Sequence, residues 1–528
     1  MKKNILYIFI LISSLLFISR FVVFVATQDV GIEHDSGWYL SVVRNVAQKG
    51  IYASSVNTIG TSEKTGDHPS IHNRFSVQDK EGYSYFPAGV TVGPGFILTE
   101  ALIVKLFGAG WVQYRTWSFV CFFLLITLLF YITYSLGGIV GLIFFQIWLW
   151  FYPQIWINQS FEAFSEQIAL LYLLSGLILI SIKKPSMLMI VCGGLLIGLS
   201  IQTKNLFLLP APLIVILFFL IKKNVKLTFF LLLSIAVPTV LFEAYRFFYL
   251  ISRFGMSSYL AINKDVYLTM KTGGSGLSIF SRKEPLLFIL NKLAVWKHVG
   301  SSLLLILIPF AFLKKTYGSL PPLFLYLCAS CASVFGWYIA LSQTGWFRHA
   351  FPAVVMGMMI VPSLYFRAVE YFWQKKITSI LVVLLGIFFI LLLTVVTNSL
   401  AHGDFFLTRK LFYSDKSIPV NSLQGPLFVP VFSRADQDSI STFISRSVPK
   451  EKRLCYEGWF LVAELPVIMN RIIFPLPRCT SGDLLVIGPY QRGIYSLVGE
   501  SAYSVSMVKS KCNKTVYKND SYLLCKIK

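Results

Sequence analysis

Glu33-His34-Asp35-Ser36-Gly37-Trp38-Tyr39-Leu40 stands a few residues beyond an apolar run that extends from about residue 5 to residue 26. A run of that length can cross a bilayer as a helix. It follows Met1-Lys2-Lys3 with no small-residue cleavage site, so it reads as an uncleaved first span rather than a signal peptide. The acids and the histidine then fall where the chain meets water. Beyond them, Trp38, Tyr39, Leu40, Val42, Val43, Val46 and Ala47 recur at spacings of three and four, with Ser41, Arg44, Asn45 and Gln48 between. The pattern predicts a helix lying in the membrane interface. A carboxylate at the start of such a helix is fixed in depth and can act on a molecule held at the membrane surface. Asp35 also has a purely local use, since Asp is a good helix N-cap.

Working outward, the rest of the chain has the same character. Of 528 residues, 55% are hydrophobic and only 13% charged, with a mean hydropathy of +0.68. That composition belongs to an integral membrane protein and excludes an ordinary soluble domain. The net charge is +23. Part of it sits in lysine pairs that set orientation, and the rest suits anionic headgroups or phosphates. The charges are dispersed and carry no nucleic-acid motif, so nucleic acid is not an expected partner.

Apolar runs predict about eleven spans, near 5–26, 113–135, 137–152, 165–182, 186–203, 205–221, 226–249, 299–313, 319–341, 350–367 and 377–399. With Lys2-Lys3 inside, this count places Lys183-Lys184, Lys222-Lys223, Lys314-Lys315 and Lys375-Lys376 on the cytoplasmic side. Each pair lies in a short loop, where positive charge reports orientation best. The loop 27–112, the turns near 153–164, 203–205 and 342–349, the loop 250–298 and the tail from 400 are then outside. The apolar segment Phe96 to Phe107 is short for a span, and a span there would invert every later lysine pair. It reads as a second interfacial helix.

The expected fold is mainly α: a polytopic helical membrane domain over 1–399, with a small extramembrane α/β domain over 400–528. Arg453–Trp459, Asp483–Ile487, Tyr503–Val508 and Tyr522–Ile527 read as strands of that domain. Cys121, Cys192, Cys328 and Cys331 lie in spans and read as small packing residues. Cys455, Cys479, Cys512 and Cys525 lie in the tail, on the oxidising side, and permit two disulfides. Cys512 with Cys525 across a hairpin is the first choice. A zinc site is the alternative, disfavoured because the tail has no close C-x-x-C pair.

Polar groups beside spans are costly and usually kept for a purpose. Here they collect on one side: Glu33, His34 and Asp35; Glu162 and Glu166 at the start of the fourth span; Lys204 at an outer turn; and Arg348 with His349. Each has a plain use too. Glu162 suits a solvated loop, Glu166 a local pair or cap, Lys204 snorkelling to the interface, and Arg348 and His349 interfacial anchoring. Together they offer acids for a hydroxyl and cations for a phosphate on one membrane face.

Asp35-x-x-x-Tyr39-Leu40, Tyr85-Phe86-Pro87, Ser165-Glu166, Gly198-Leu199-Ser200-x-x-Thr203-Lys204 and Arg348-His349-Ala350-Phe351-Pro352 follow one another in the order and spacing of a known family. Over about residues 1–400 the chain resembles the GT-C membrane glycosyltransferases, nearest the protein O-mannosyltransferase and lipid A aminoarabinose transferase branches. The resemblance implies a polyprenyl-phosphate sugar donor and a site on the lumenal or periplasmic face. It makes Asp35 the candidate base, with Glu33 and Glu166 as further catalytic candidates. Lys204, Arg348 and His349 become candidates for the donor phosphate, and His34, Tyr39, Tyr85 and Glu162 for sugar or acceptor contacts. The chain departs from the pattern at Glu33-x-Asp35 and at His349, where tyrosine is common.

The residues support that chemistry independently. Transfer to a hydroxyl needs a base, which a carboxylate supplies. The departing phosphate gathers negative charge, which Lys204 and Arg348 can meet. A single displacement inverts the anomeric centre. A divalent metal could bridge Glu33 and Asp35, but a monophosphate donor facing two cations does not demand one. The expected acceptor is a lipid, glycan or protein. The expected location is a bacterial inner membrane with the site facing the periplasm, or the endoplasmic reticulum membrane in a eukaryote. A transferase or ligase using a diphosphate-linked donor is the nearest alternative. A transporter of lipid-linked sugars is another, disfavoured because transporters place their charges near the bilayer midplane.

Overall fold

The computed structural model describes residues 11–19, 22, 31–32, 34–57, 77–86, 93–151, 165–269, 320–340, 350–360, 363, 433–457, 462–488 and 509–528. These residues are mostly helical, with a small sheet region. The helices are α1 (His34–Lys49), α2 (Pro94–Phe107), α3 (Gln113–Phe151), α4 (Glu166–Ser181), α5 (Met187–Thr203), α6 (Ala211–Lys222), α7 (Val225–Thr269), α8 (Pro322–Ala340) and α9 (Ala350–Ile360), then α10 (Arg434–Ser447) and α11 (Glu464–Met469) in the tail. Two of the longest are bent by a glycine in a conformation other residues avoid: Gly138 in α3 at φ 56° and Gly255 in α7 at φ 82°.

Among the described residues, three stretches are long and apolar enough to cross a membrane: Gln113–Ile139, Asn205–Lys222 and Val225–Lys264. They match the spans expected near 113–135, 205–221 and 226–249. The helices α4, α5 and α9, and α8 counted over Pro322–Tyr338, coincide with expected spans but are shorter apolar helices of 10–17 residues. The expected spans at 299–313 and 377–399 lie outside the described residues. The helices α4 and α5 pack together, and α5 packs on α7. A Cβ on Gly176 would lie 2.7 Å from the Gly193 carbonyl, so the α4–α5 contact is a close backbone approach of the small-residue kind.

The helix expected over Phe96 to Phe107 forms, as α2. Phe96, Ile97, Glu100, Ala101 and Val104 are buried along one face, while Leu98, Leu102, Leu106 and Phe107 are exposed along the other. An apolar stripe left uncovered beside apolar helices suits lipid.

The first such helix needs a correction. The helix α1 forms where the periodicity put it, but it does not lie with a polar face in water. Ser36, Trp38, Tyr39, Leu40, Ser41, Val42, Val43 and Asn45 are all buried. One side packs on α2 and the other receives α11 from the tail. Its polar residues are matched internally. Asn45 Nδ2 donates to the Ala53 carbonyl at 2.7 Å, and the Ser55 amide donates to Ser41 Oγ at 2.8 Å. A helix of 16 residues is marginal alone. Burying a side chain such as Trp38 or Leu40 contributes about 1.5–3 kcal/mol each, so packing holds this helix.

The first loop carries three short strands, β1 (Ala53–Ser54), β2 (Val77–Gln78) and β3 (Ser84–Tyr85), in the order β1-β3-β2, all antiparallel. The tail carries β4 (Leu454–Tyr456), β5 (Ile473–Pro475), β6 (Leu484–Ile487), β7 (Cys512–Lys518) and β8 (Leu523–Ile527), in the order β5-β4-β6-β8-β7. The strand β4 is parallel to β5 and β6, while β8 is antiparallel to β6 and β7. With α10 and α11 this makes the expected small α/β unit. The expected strand Tyr503–Val508 lies outside the described residues. The strands β5 and β7 were not expected: β5 is three residues ending in proline, and β7 is a polar edge with lysines outward. Cys512 and Cys525 are joined across the β7–β8 hairpin, and Cys455 is joined to Cys479 beyond β5.

Tail and first loop are stitched together. Val56 forms a parallel bridge with Ile473, the Asn57 amide donates to the Ile473 carbonyl at 2.8 Å, and the Ile473 amide donates to the Ser55 carbonyl at 3.1 Å. Tyr456 donates its hydroxyl to the Asn57 carbonyl at 2.8 Å. Trp111, just before α3, donates to Asp438 at 3.0 Å and lies under Arg434.

Candidate functional site

The helix α1 begins at His34, so Asp35 is the second residue of its first turn and does not occupy the flanking cap position. An acid there is still favoured by the helix dipole. Two residues on, Gly37 meets the tail backbone so closely that a Cβ would stand 2.4 Å from the Glu464 amide nitrogen. Glu33, Glu162, Arg348 and His349 lie outside the described residues, as do the side chains of His34 and Asp35. Tyr39 is buried within α1.

Glu166 and Lys204, expected as catalytic acid and phosphate cation, are brought together. Glu166 opens α4 and Lys204 ends α5, so both sit at the same end of one helical hairpin. Lys204 Nζ stands 2.9 Å from Glu166 Oε1, with the side chains 7% and 1% exposed. The contact is a buried ion pair. The same corner touches α2, because the Gly93 amide donates to the Thr203 carbonyl at 3.1 Å. The chain thus continues from the pair through α2 to α1, which pack on one another.

Tyr85 is elsewhere engaged. Its hydroxyl donates to Asp79 Oδ2 at 3.1 Å, and its ring lies against Tyr249 and Phe254 and beneath Arg253. Burial, then the Asp79 carboxylate, pushes its phenol above the usual range. Phe86 joins the same group, stacking on Tyr52 at 5.1 Å and meeting Tyr245 and Tyr249. The motif Tyr85-Phe86 therefore anchors the first loop to α7.

Two acids escaped the sequence reading. Glu100 is on the buried face of α2, with no ion-pair partner among the described residues. Burial pushes its pKa up to about 8, with the main-chain amide of Trp117 pulling the other way. The signal was present: a lone acid inside an apolar segment. Glu464 opens α11 and is fully buried; Tyr522 donates to its Oε1 at 2.7 Å, and burial raises its pKa to about 7.

Among the described residues, one cluster has metal-ligand composition: Cys455, Cys479 and Asp483. Its two sulfurs are spent on each other in a disulfide. Asp483 accepts from the Thr480 amide at 2.8 Å and from the Thr480 hydroxyl at 3.1 Å. This donor set does not suit zinc, whose cysteine ligands must be thiolates.

Neither a family model nor a curated protein sequence matches the chain. Solved structures do. ArnT from Cupriavidus metallidurans in the apo state superposes with a TM-score of 0.54 at 13% identity, covering 97% of this chain and 97% of that one. The same protein bound to undecaprenyl phosphate gives 0.52 at 13% identity, with 97% of each chain covered. The archaeal oligosaccharyltransferase AglB from Archaeoglobus fulgidus, in complex with an inhibitory peptide and a dolichol-phosphate, gives 0.51 at 11% identity, covering 97% of this chain and 73% of that one. These neighbours are membrane glycosyltransferases of the GT-C superfamily. This chain shares their fold, with 97% of its length covered in each of these superpositions.

Proposed function

We propose that the protein is a membrane glycosyltransferase that moves a sugar from a polyprenyl-phosphate donor to an acceptor hydroxyl, with inversion, at the outer face of the membrane. What carries the reading is the buried ammonium of Lys204. It is ion-paired to Glu166 at the end of a helical hairpin, in a fold shared along 97% of the chain with a protein solved bound to undecaprenyl phosphate. A buried cation held by one carboxylate is a preorganised group for a departing phosphate. The disulfides Cys455–Cys479 and Cys512–Cys525 support a tail facing an oxidising compartment, such as the periplasm of a bacterial cell.

In the proposed reaction the Asp35 carboxylate takes the proton of the acceptor hydroxyl. That oxygen attacks the anomeric carbon from the face opposite the phosphate. The bond from the anomeric carbon to the phosphate oxygen breaks, and its electron pair leaves with the polyprenyl phosphate. Lys204 and, by sequence position, Arg348 and His349 meet the charge that develops there. Glu166 keeps Lys204 in place. Glu33 and Glu162 remain candidates by sequence position for the acid pair and the acceptor side. No metal takes part in this scheme, so chelators leave turnover unchanged.

The test is transfer of labelled sugar from undecaprenyl-phosphate mannose, glucose and aminoarabinose into the lipid and protein of membranes carrying the chain. Mass spectrometry of the copurifying lipid guides the choice and separates one phosphate from two. Asp35→Asn preserves helix-start chemistry but removes the base, so turnover should fall roughly 10²–10⁴-fold while thermal stability is kept. Near-normal turnover of that variant moves the base elsewhere and overturns the assignment.

A further inference from the structure

The tail grips the main chain on both sides of the acidic turn. On the near side is Gln437, fully buried on α10. Its Oε1 accepts from the Ile32 amide at 2.8 Å, and its Nε2 donates to the Ile32 carbonyl at 2.8 Å. The amide thus pairs with both main-chain groups of one residue, as a neighbouring strand would, and only one orientation of the amide satisfies both. Gly31 makes the approach possible: a Cβ there would lie 2.5 Å from Gln437 Oε1. The Gly31 carbonyl is itself held by Arg115 at 3.0 Å. On the far side, Gly37 sits against the backbone of Ala463 and Glu464 at the start of α11, with no room for a Cβ. The helices α10 and α11 pack on one another, so the two grips belong to one body. Between them lies the turn with Asp35.

We infer that the tail positions the start of α1, and that Gln437 is the positioning residue that fixes Ile32, three residues before Asp35. Gln437 touches no substrate in this scheme. The inference rests on the reading of Asp35 as base. It also explains why a glutamine, which costs free energy to bury unless hydrogen-bonded, begins a buried helix face otherwise made of Ile440, Ser441 and Ile444. A side chain serving only to glue two surfaces has no need of a two-sided match to the main chain of a single residue three positions before the acid.

The experiment compares wild type with Gln437→Met, which keeps length but removes both hydrogen bonds, and Gln437→Glu, which keeps an acceptor for the Ile32 amide. Ser439→Ala serves as control, because it removes only an exposed contact between the same helix and Tyr517. Two readouts are taken on detergent-purified full-length protein. One is hydrogen exchange of peptides covering residues 31–40. The other is the kcat and KM of sugar transfer per folded molecule. Gln437→Met should speed exchange in that peptide alone and lower kcat about 10²-fold, the scale of an ångström-sized misplacement, with the donor KM within about threefold. Gln437→Glu should fall between, and Ser439→Ala should match wild type. If Gln437→Met only lowers melting temperature, with kcat per folded molecule and exchange at 31–40 unchanged, Gln437 is mere glue and the inference is overturned. Asp35→Asn, run alongside, separates the two failures. If it is inactive while Gln437→Met is normal, the positioning role alone falls. If it is active, the base assignment falls and takes the positioning role with it.

Discussion

Glu166 and Glu100 are both buried carboxyls on helices with apolar surroundings. One has an ammonium at 2.9 Å, and the other has no ion-pair partner among the described residues. The first lies at the corner where α4 and α5 meet, the second between α2 and α3. The contrast separates two ways of keeping an acid inside. A counter-charge holds it in place and is held by it, which suits a site that must meet a phosphate. Without one, burial keeps the proton on the acid, which fits a neutral polar group and no fixed charge. Glu464 stands between the two cases, with one oxygen satisfied by Tyr522 and the other without a partner among the described residues.

The strongest way to break this comparison is to turn Glu166 into a second Glu100. Lys204→Met should do so, leaving a buried carboxylate without its cation at a cost of roughly 3–5 kcal/mol. Adding Glu166→Gln should restore most of the melting temperature but none of the sugar transfer, because the phosphate cation is still missing. A double variant that transfers sugar normally would place the phosphate site elsewhere.

Glu100→Gln should act in the opposite sense. The acid's pKa is about 8 when folded against an ordinary 4.5. Below about pH 4.5 both states hold the proton and the residue is neutral in its effect. As pH rises toward 8 the unfolded chain releases its proton while the folded one keeps it, so stability is lost and then levels off. The glutamine variant should therefore match wild type near pH 4.5 and exceed it by up to roughly 4 kcal/mol at pH 8.5. Melting curves at the two pH values measure this, and a gain equal at both would show that protonation is not the cause.

Glu464→Gln should show the same profile on a smaller scale, up to about 3 kcal/mol, with the loss complete near pH 7. Smallest of all, Tyr522→Phe should cost about 1 kcal/mol by removing the one hydrogen bond that satisfies Glu464. It should also widen the pH range over which stability falls.

The membrane helices were legible in the sequence because an apolar run of span length has few other uses. The disulfide across β7 and β8 was legible because a hairpin brings Cys512 and Cys525 together locally. What covers α1 was not. Periodicity shows that Trp38, Val42 and Asn45 recur in register, but it says nothing of which surface meets each face. The tail residues that meet them are about four hundred positions away, as with Ile32 and Gln437, 405 residues apart. Glu100 was read as part of an apolar segment because one acid barely changes the pattern of a helix. The pairing of Glu166 with Lys204 was missed because each was considered against a ligand and not against the other. Their common place at one end of adjacent spans held the clue.

The 405 residues between Ile32 and Gln437 also impose an order on biosynthesis. At about 5–20 residues per second, the acidic turn leaves the ribosome some 20–80 s before its clamp exists. Throughout that interval the tail groups that meet Gly31 and Gly37 do not yet exist, and the first turn of α1 has only residues made before them to hold it. On the proposed reading of Asp35 as base, the last domain to emerge completes the first.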